Sequence, residues 1–148
     1  MQNVSGFGSR VTIVASNTFP QGIDITAFSE DADPFDLPDV VVGASAMGPN
    51  GDLITWSSAT MTALTVNVIP GSDDDKNLQV LFQANAPGRG RQPANDVITA
   101  TCIYPDGSGV ILTPGVVISG MPGSSIAGSG RQKTKKYVFH FEGSAPNL

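Results

Sequence analysis

The sequence predicts a mainly β protein, a two-sheet antiparallel β-sandwich or partly closed barrel of about seven to eight strands with one flanking α-helix. Three observations predict it. Apolar and polar residues alternate with a period of two along most of the chain, and turn residues interrupt this alternation at short intervals. One segment, 72–85, changes to helical spacing. At 148 residues, the chain is most simply a single domain spanning 1–148.

Eight segments show the alternation that is typical of strands with one buried face. In residues 61–69, for example, Leu64, Val66 and Val68 share one face, and Thr65 and Asn67 share the other. The predicted strands are 11–16, 22–28, 40–47, 53–58, 61–69, 97–104, 110–120 and 136–143.

Two pairs of these strands are joined by hairpin signals. The Asn50-Gly51 pair lies between strands 40–47 and 53–58, and "PDGSG" lies between 97–104 and 110–120. Asn-Gly and Asp-Gly pairs tolerate positive φ angles, which two-residue hairpin turns require. Within the first hairpin Trp56 shares a face with Ile54, and we expect both side chains to pack in the core.

Residues 70–85, "PGSDDDKNLQVLFQAN", predict the start of the helix. Ser72 fits an N-cap, Asp73 and Asp74 lie in the first turn beside the positive end of the helix dipole, and Asp75 stands three residues after the cap, as a capping-box acid does. The alternative is a calcium site. Consecutive aspartates that run directly into a helix lack the alternating ligand spacing of a calcium loop, so capping is the preferred interpretation.

Charge is sparse and unevenly distributed. Charged residues make up 14% of the chain, against a typical quarter, and the net charge is −8 over residues 1–88 and +3 over residues 89–148. Net acidity argues against tight binding of DNA phosphates. Three segments rich in glycine, proline and polar residues are predicted to be flexible loops: 29–39, 86–96 and 121–135.

The sequence does not present the residues of an active site. The one histidine, His140, lies in a strand between two phenylalanines, and neither a nucleophile elbow nor a phosphate-binding loop is present. The one cysteine, Cys102, lies on an apolar strand face and is predicted to be buried. We therefore expect no enzymatic activity, no cofactor and no bound metal. No signal peptide or membrane span is visible, which predicts synthesis in the cytoplasm.

The order of these motifs resembles the tail tube protein of contractile-tailed bacteriophages. The resemblance rests on the alternating strand 61–69, the Pro-Gly-Ser and acids that follow it, and the short helix with Leu78 and Leu81. The opening "RVTIVASNTFPQGIDITAFSEDADPFDLP" and the hairpin "MGPNGDLITWSS" support it. The Gly-rich loop 121–130 and the basic segment 131–136 have no counterpart in this resemblance.

The resemblance implies a tail-tube-like β-barrel, shared with secretion-system tube proteins, and a structural role in the virion. It implies that six copies form a ring and that rings stack into a tube for DNA ejection, in which DNA passes through the lumen without specific binding. Tail sheath, baseplate and terminator proteins would be its other partners.

We expect the acids of the loop 29–39 to contact basic residues of a neighbouring subunit and so to set its orientation. The candidate contacts between subunits are Glu30, Asp31, Asp33, Asp36, Arg89, Arg91, Arg131 and Lys133.

Two alternatives remain open at this point. One is a monomeric β-sandwich binding module for carbohydrate or calcium, and the other is a protein that decorates a capsid. Exposed aromatic residues on a polar strand face would favour the binding module, but here the aromatic residues alternate with polar positions as core residues do. The sequence separates the capsid-decorating protein poorly from a tube subunit.

Overall fold

A computed structural model describes residues 7–30 and 33–147, and within them the chain forms ten strands and one helix. The predicted class, mainly β with one helix, is confirmed. In chain order the elements are β1 Arg10–Ala15, β2 Phe19–Ile25, β3 Phe35–Asp36, β4 Gly43–Met47, β5 Leu53–Ser57, β6 Thr62–Val68, α1 Asp73–Asn85, β7 Ile98–Ile103, β8 Gly109–Ser119, β9 Lys135–Phe141 and β10 Ser144–Asn147.

Eight of the strands form one antiparallel sheet, in the order β2-β1-β7-β8-β9-β6-β3, with β10 paired to β8 outside this path. The long strand β8 changes partner along its length, because Gly109–Leu112 pair with β10 on one side and Gly115–Ser119 pair with β9. The remaining two strands, β4 and β5, form a separate hairpin that is the second sheet.

The hydrophobic core lies on one face of the large sheet. Strands β1, β6, β7 and β9 each bury alternate residues, which is what their period-two sequence predicts. The side chains that are at most 1% exposed include the predicted core positions of these strands and two helix leucines. They are Val11, Ile13, Ala15, Ile25, Leu64, Val66, Val68, Leu78, Leu81, Ile98, Ala100, Cys102, Leu112, Tyr137, Phe139 and Phe141.

The sheet curls until its two edges meet at one end. After edge strand β2, Phe28 forms an isolated bridge with Val68 of β6, near the opposite edge. The N–H of Ile69 donates to the carbonyl oxygen of Ala27 at 2.9 Å, which reinforces this junction. Apart from this junction the large sheet is not closed into a barrel.

Helix α1 packs over the core face with its apolar stripe inward. Leu78 and Leu81 are buried, Phe82 is half-buried, and their i, i+3, i+4 spacing places them on one side of the helix. Phe82 lies so close to Gly120 that a Cβ there would be 3.0 Å from the ring. The loop end of β8 and the helix therefore meet with no room for a side chain between them.

Two strands were not predicted. Phe35 and Asp36 pair with Val66 and Thr65 as the short edge strand β3, within the segment predicted to be a loop. Strand β10, which contains Pro146, follows the predicted last strand. Both lie at sheet edges, where short strands and proline are tolerated because one side of the backbone stays unpaired.

Candidate self-association surface

The hairpin β4–β5 stands away from the rest of the subunit. All of its ten residues are exposed, although it contains Met47, Leu53, Ile54 and Trp56. The hairpin forms as predicted, with Gly51 at a φ angle of 87°, but Asn50 does not have a positive φ and five residues connect the strands, so the turn is not the two-residue type. Hydrogen bonds from Ser58 N–H and Thr60 Oγ1 to the carbonyl oxygens of residues 42 and 41 hold the base of the hairpin.

One face of this hairpin is entirely apolar. Ala44 pairs with Trp56 and Ala46 pairs with Ile54, and directly paired residues of antiparallel strands lie on the same face. Ile54 and Trp56 are each 52% exposed, so the expectation that they pack in the core of their own subunit is wrong. Two-stranded hairpins are marginally stable by themselves, and exposed apolar patches are where interaction surfaces are commonly found. We call these four residues the hairpin face.

The three aspartates of the helix start have three different environments. Ser72 is the N-cap, and its Oγ accepts from the N–H of Asp75 at 3.2 Å. Asp73 is exposed. The Oδ2 of Asp74 accepts from the backbone N–H groups of Thr26 and Ala27 at 2.9 and 2.8 Å, so this carboxylate joins the helix to the chain that follows β2.

Asp75 is 4% exposed and connects the helix to β9. Its Oδ2 accepts from the N–H of Gly71 at 2.9 Å, one residue before the position that a capping box would use. Its Oδ1 accepts from the hydroxyl of Tyr137 at 2.9 Å and lies 3.5 Å from Nζ of Lys135, which is 5% exposed. The same hydroxyl lies 3.0 Å from Gln79 Oε1, so its one proton is shared between the two acceptors. Asp74 and Asp75 therefore hold the helix against the sheet.

A second buried carboxylate organises the loop 86–96. Asp96 is 2% exposed and accepts from the N–H groups of Asn17 and Thr18 at 2.7 and 3.0 Å, and from the side chain of Asn85 at 2.8 Å. Burial alone would raise the pKa of Asp96, but these hydrogen bonds and one from the Thr18 hydroxyl lower it below its usual value. At the same helix end, the guanidinium of Arg91 donates to the carbonyl oxygens of Gln83 and Ala86.

The predicted contact residues are dispersed, and two of them pair within the chain. Nη2 of Arg131 lies 2.9 Å from Oε1 of Glu30, and both side chains are largely exposed. This pair therefore joins the loops 29–39 and 121–135 of one subunit.

The other candidates lie at different places on the surface. Asp33, Asp36, Arg89 and Lys133 are exposed, and Asp31 lies outside the described residues. The carbonyl oxygen of Asp33 accepts from Asn67 Nδ2 at 2.7 Å, which secures the backbone of the acidic loop beside β6. A contact of these residues with a neighbouring subunit stays a prediction.

Residues with metal-binding or nucleophilic chemistry do not converge. Across residues 7–30 and 33–147, no group of three or more histidine, cysteine or acidic residues is placed to hold a metal ion. Burial raises the pKa of the Cys102 thiol to about 12. His140 is half-buried on the side of β9 away from the core. None of the helices in the described part of the chain has the length and apolar character that a membrane span needs.

Comparison with solved structures identifies the fold. The chain aligns over 99% of its length with 95% of a chain in the anti-feeding prophage baseplate, at 10% identity and a TM-score of 0.59. It aligns over 100% with 93% of a chain in the cap that terminates the anti-feeding prophage tube, at 12% identity and a TM-score of 0.56.

A third structure, the sheath/tube terminator of the PVC extracellular contractile injection system in its extended state, aligns over 99% of its own chain with 100% of this chain. Its identity is 13% and its TM-score is 0.57. The three matches show that the chain has the fold of these components. A comparison with curated proteins found no match.

The sequence also matches a protein-family model. The model described as tail fiber protein gp32 matches residues 2–145, which is nearly the whole chain. The chain therefore belongs to the tail fiber protein gp32 family, a family of tail-associated structural proteins.

Proposed function

We propose that this protein is a self-assembling subunit of a phage tail tube, in which copies close into a hexameric ring and rings stack around a lumen. The single observation that carries the proposal is the hairpin β4–β5, whose apolar face is exposed on the subunit, as a surface that contacts a partner protein would be. The likeness of the fold to baseplate, tube-cap and tube-terminator components supports a place in such an assembly.

The open sheet supports the same proposal. Edge strands β2 and β3 each leave one side of their backbone without a partner strand in the large sheet of the described chain. Free edges of this kind are hazards in a monomer but become joints when neighbouring subunits pair with them. A ring needs head-to-tail contacts between two different surfaces of each copy, and a hairpin and a sheet edge provide such different surfaces.

The same proposal covers partners and location. Tail sheath, baseplate and terminator proteins would contact the tube in the virion tail, after synthesis of the subunit in the host cytoplasm. The net charge of −5 favours a lumen along which DNA slides without specific binding. The subunit acts as a structural component and not as an enzyme.

The description of the family favours a second candidate, a subunit of a tail fibre. The two candidates differ in the shape of the assembly, since a tube has closed rings with a lumen and a fibre has a solid shaft.

Negative-stain electron microscopy of concentrated purified protein, together with sedimentation velocity, tests both candidates. Rings with sixfold views and tubes of uniform width would support the tube. Solid shafts would transfer the proposal to the fibre, and a monodisperse monomer at every concentration would overturn self-assembly.

A further inference from the structure

The outer surface of the large sheet contains an apolar depression of about 630 Å³, close to the base of the hairpin. It lies where β6 and β7 begin, where β9 ends, and at residues 114–116 of β8. Six of the residues that line it are Met61, Val97, Pro114, Val116, His140 and Glu142. Met61, Val97 and Val116 are each at least 50% exposed, so this surface is uncovered in the isolated subunit.

The hairpin face and the depression are two apolar surfaces of one chain that do not cover each other. Trp56 and Ile54 remain half-exposed, and so do the aliphatic side chains of the depression. Residues 59–61, which lead out of the hairpin, themselves line the depression. The chain therefore presents a projecting apolar surface and a receiving apolar surface side by side.

Both surfaces also have few charged residues. Between residues 40 and 61 the sequence has one charged residue, Asp52, which lies in the hairpin turn and not on the hairpin face. In the depression only His140 and Glu142 can carry charge. Contact between the surfaces would bury aliphatic and aromatic groups and would desolvate few charges, which is the composition of an interface core.

We propose that the hairpin face of one copy docks into the depression of the next copy, with Trp56 as the aromatic anchor. This inference rests on the proposed self-assembly and names its contact. Each copy contacts one neighbour through its hairpin face and the other neighbour through its depression. The contact is therefore head-to-tail and can repeat around a ring. Aromatic anchors in apolar pockets carry a large share of the binding energy in protein interfaces.

Trp56 is the one tryptophan in the sequence, so its fluorescence reports on the hairpin face alone. Dilution of the assembled protein is expected to shift its emission to longer wavelength as Trp56 returns to water. The test substitutes glutamate for Val116, which lines the depression. Its matched control is Ile118→Glu, since Ile118 lies on the same strand with the same 50% exposure and outside the depression.

We expect Val116→Glu to raise the concentration needed for assembly at least about 10-fold. Below that raised concentration the variant is not assembled, so dilution should no longer shift the Trp56 emission. Ile118→Glu should change the concentration needed for assembly by less than about threefold and should keep the emission shift. Circular dichroism verifies that both variants fold. If the wild type assembles and Val116→Glu assembles equally well, the contact is wrong while the proposed function stands. If the wild type never assembles, both fail.

A mixing experiment tests the head-to-tail direction. A Trp56→Ser variant keeps an intact depression, and Val116→Glu keeps an intact hairpin, so a mixture of the two can form one contact per pair. We expect the mixture to give dimers by sedimentation velocity, detected through the emission of the retained Trp56, while each variant alone stays monomeric. Two monomeric species in the mixture would overturn the proposed direction of docking.

Discussion

The hydroxyl of Tyr137 donates a hydrogen bond to Oδ1 of Asp75 at 2.9 Å and thereby joins β9 to the first turn of α1. Burial raises the pKa of Tyr137, and the hydrogen bond to Asp75 and the charge of its carboxylate raise it further, so the phenol remains a donor at any ordinary pH. Lys135, at 3.5 Å from the same oxygen, provides the opposite charge. One buried acid therefore both begins the helix and fixes it against the sheet.

Replacing Tyr137 by phenylalanine should lower the free energy of unfolding by about 1–3 kcal/mol, because a buried carboxylate loses a donor. Urea unfolding of dilute protein measures the change. Tyr104→Phe is the control, since the half-buried ring of Tyr104 stacks on Phe35, away from the helix. Equal effects of the two substitutions would contradict the role given to the hydroxyl of Tyr137.

Asp74→Ala should destabilise the protein by about 1–3 kcal/mol, because the backbone N–H groups of Thr26 and Ala27 lose the carboxylate that accepts from both. Asp73→Ala removes the neighbouring charge, which is exposed, and should cost only about 0.3–1 kcal/mol through the helix dipole. Hydrogen exchange of residues 26–30 separates the two, since we expect faster exchange there in Asp74→Ala alone. Unchanged exchange in both variants would contradict the role of Asp74 in joining the helix to residues 26 and 27.

Period-two alternation predicted the interior strands well because it directly reports which face of a strand is buried. It indicated the buried positions of β6 and β9, and the acids after Pro70-Gly71 correctly indicated the helix start. The pattern carries no record of what covers that face. For Ile54 and Trp56 the core of the same subunit was the wrong expectation, although the near absence of charge over residues 40–61 was visible as a sign of an interface.

Contacts between segments that are far apart along the chain could not be predicted from the sequence for a related reason. Asp73 and Asp74 were expected to interact with the helix dipole and Asp75 to act as a capping-box acid, but Asp74 and Asp75 also contact Thr26 and Tyr137, far away along the chain. Local spacing determines a cap, whereas these partners depend on how the sheet curls. The short edge strands β3 and β10 were not predicted because each pairs only a few residues, and because proline and acidic residues interrupt the alternation that indicates a strand.

The Asp96 cluster predicts a dependence of stability on pH. The folded pKa of Asp96 is lowered from 3.8, so its stabilising contribution is complete above the unfolded pKa and is lost as the pH falls through the folded pKa. Asp96→Asn should cost about 1–3 kcal/mol near neutral pH, because the charge is lost and the amide nitrogen that replaces Oδ2 would face the donating side chain of Asn85.

Urea unfolding of the wild type and Asp96→Asn between about pH 6 and about pH 2 tests this. The difference in unfolding free energy between them should shrink toward the acid end, where the wild-type carboxyl becomes protonated. Asp24→Asn is the control, because Asp24 only accepts an exposed hydrogen bond from the Thr12 hydroxyl. We expect it to change the unfolding free energy little at any pH. A difference that stays constant over the whole pH range would contradict the role of the Asp96 charge.

Gly115 has no side chain, and the ring of Phe141 occupies the space that a side chain there would need. A Cβ at residue 115 would overlap Cδ1 and Cε1 of Phe141 and would lie 2.9 Å from the carbonyl oxygen of His140. Gly115→Ala should therefore destabilise the fold by about 1–3 kcal/mol through overpacking. Gly123→Ala is the matched control, because nothing lies within 4 Å of a Cβ there, and its effect should stay within about 0.5 kcal/mol. Trimming the ring with Phe141→Leu in the Gly115→Ala background should cost less stability than the same change in the wild type. Additive effects of the two substitutions, measured by urea unfolding, would show that the ring and the glycine do not share this space.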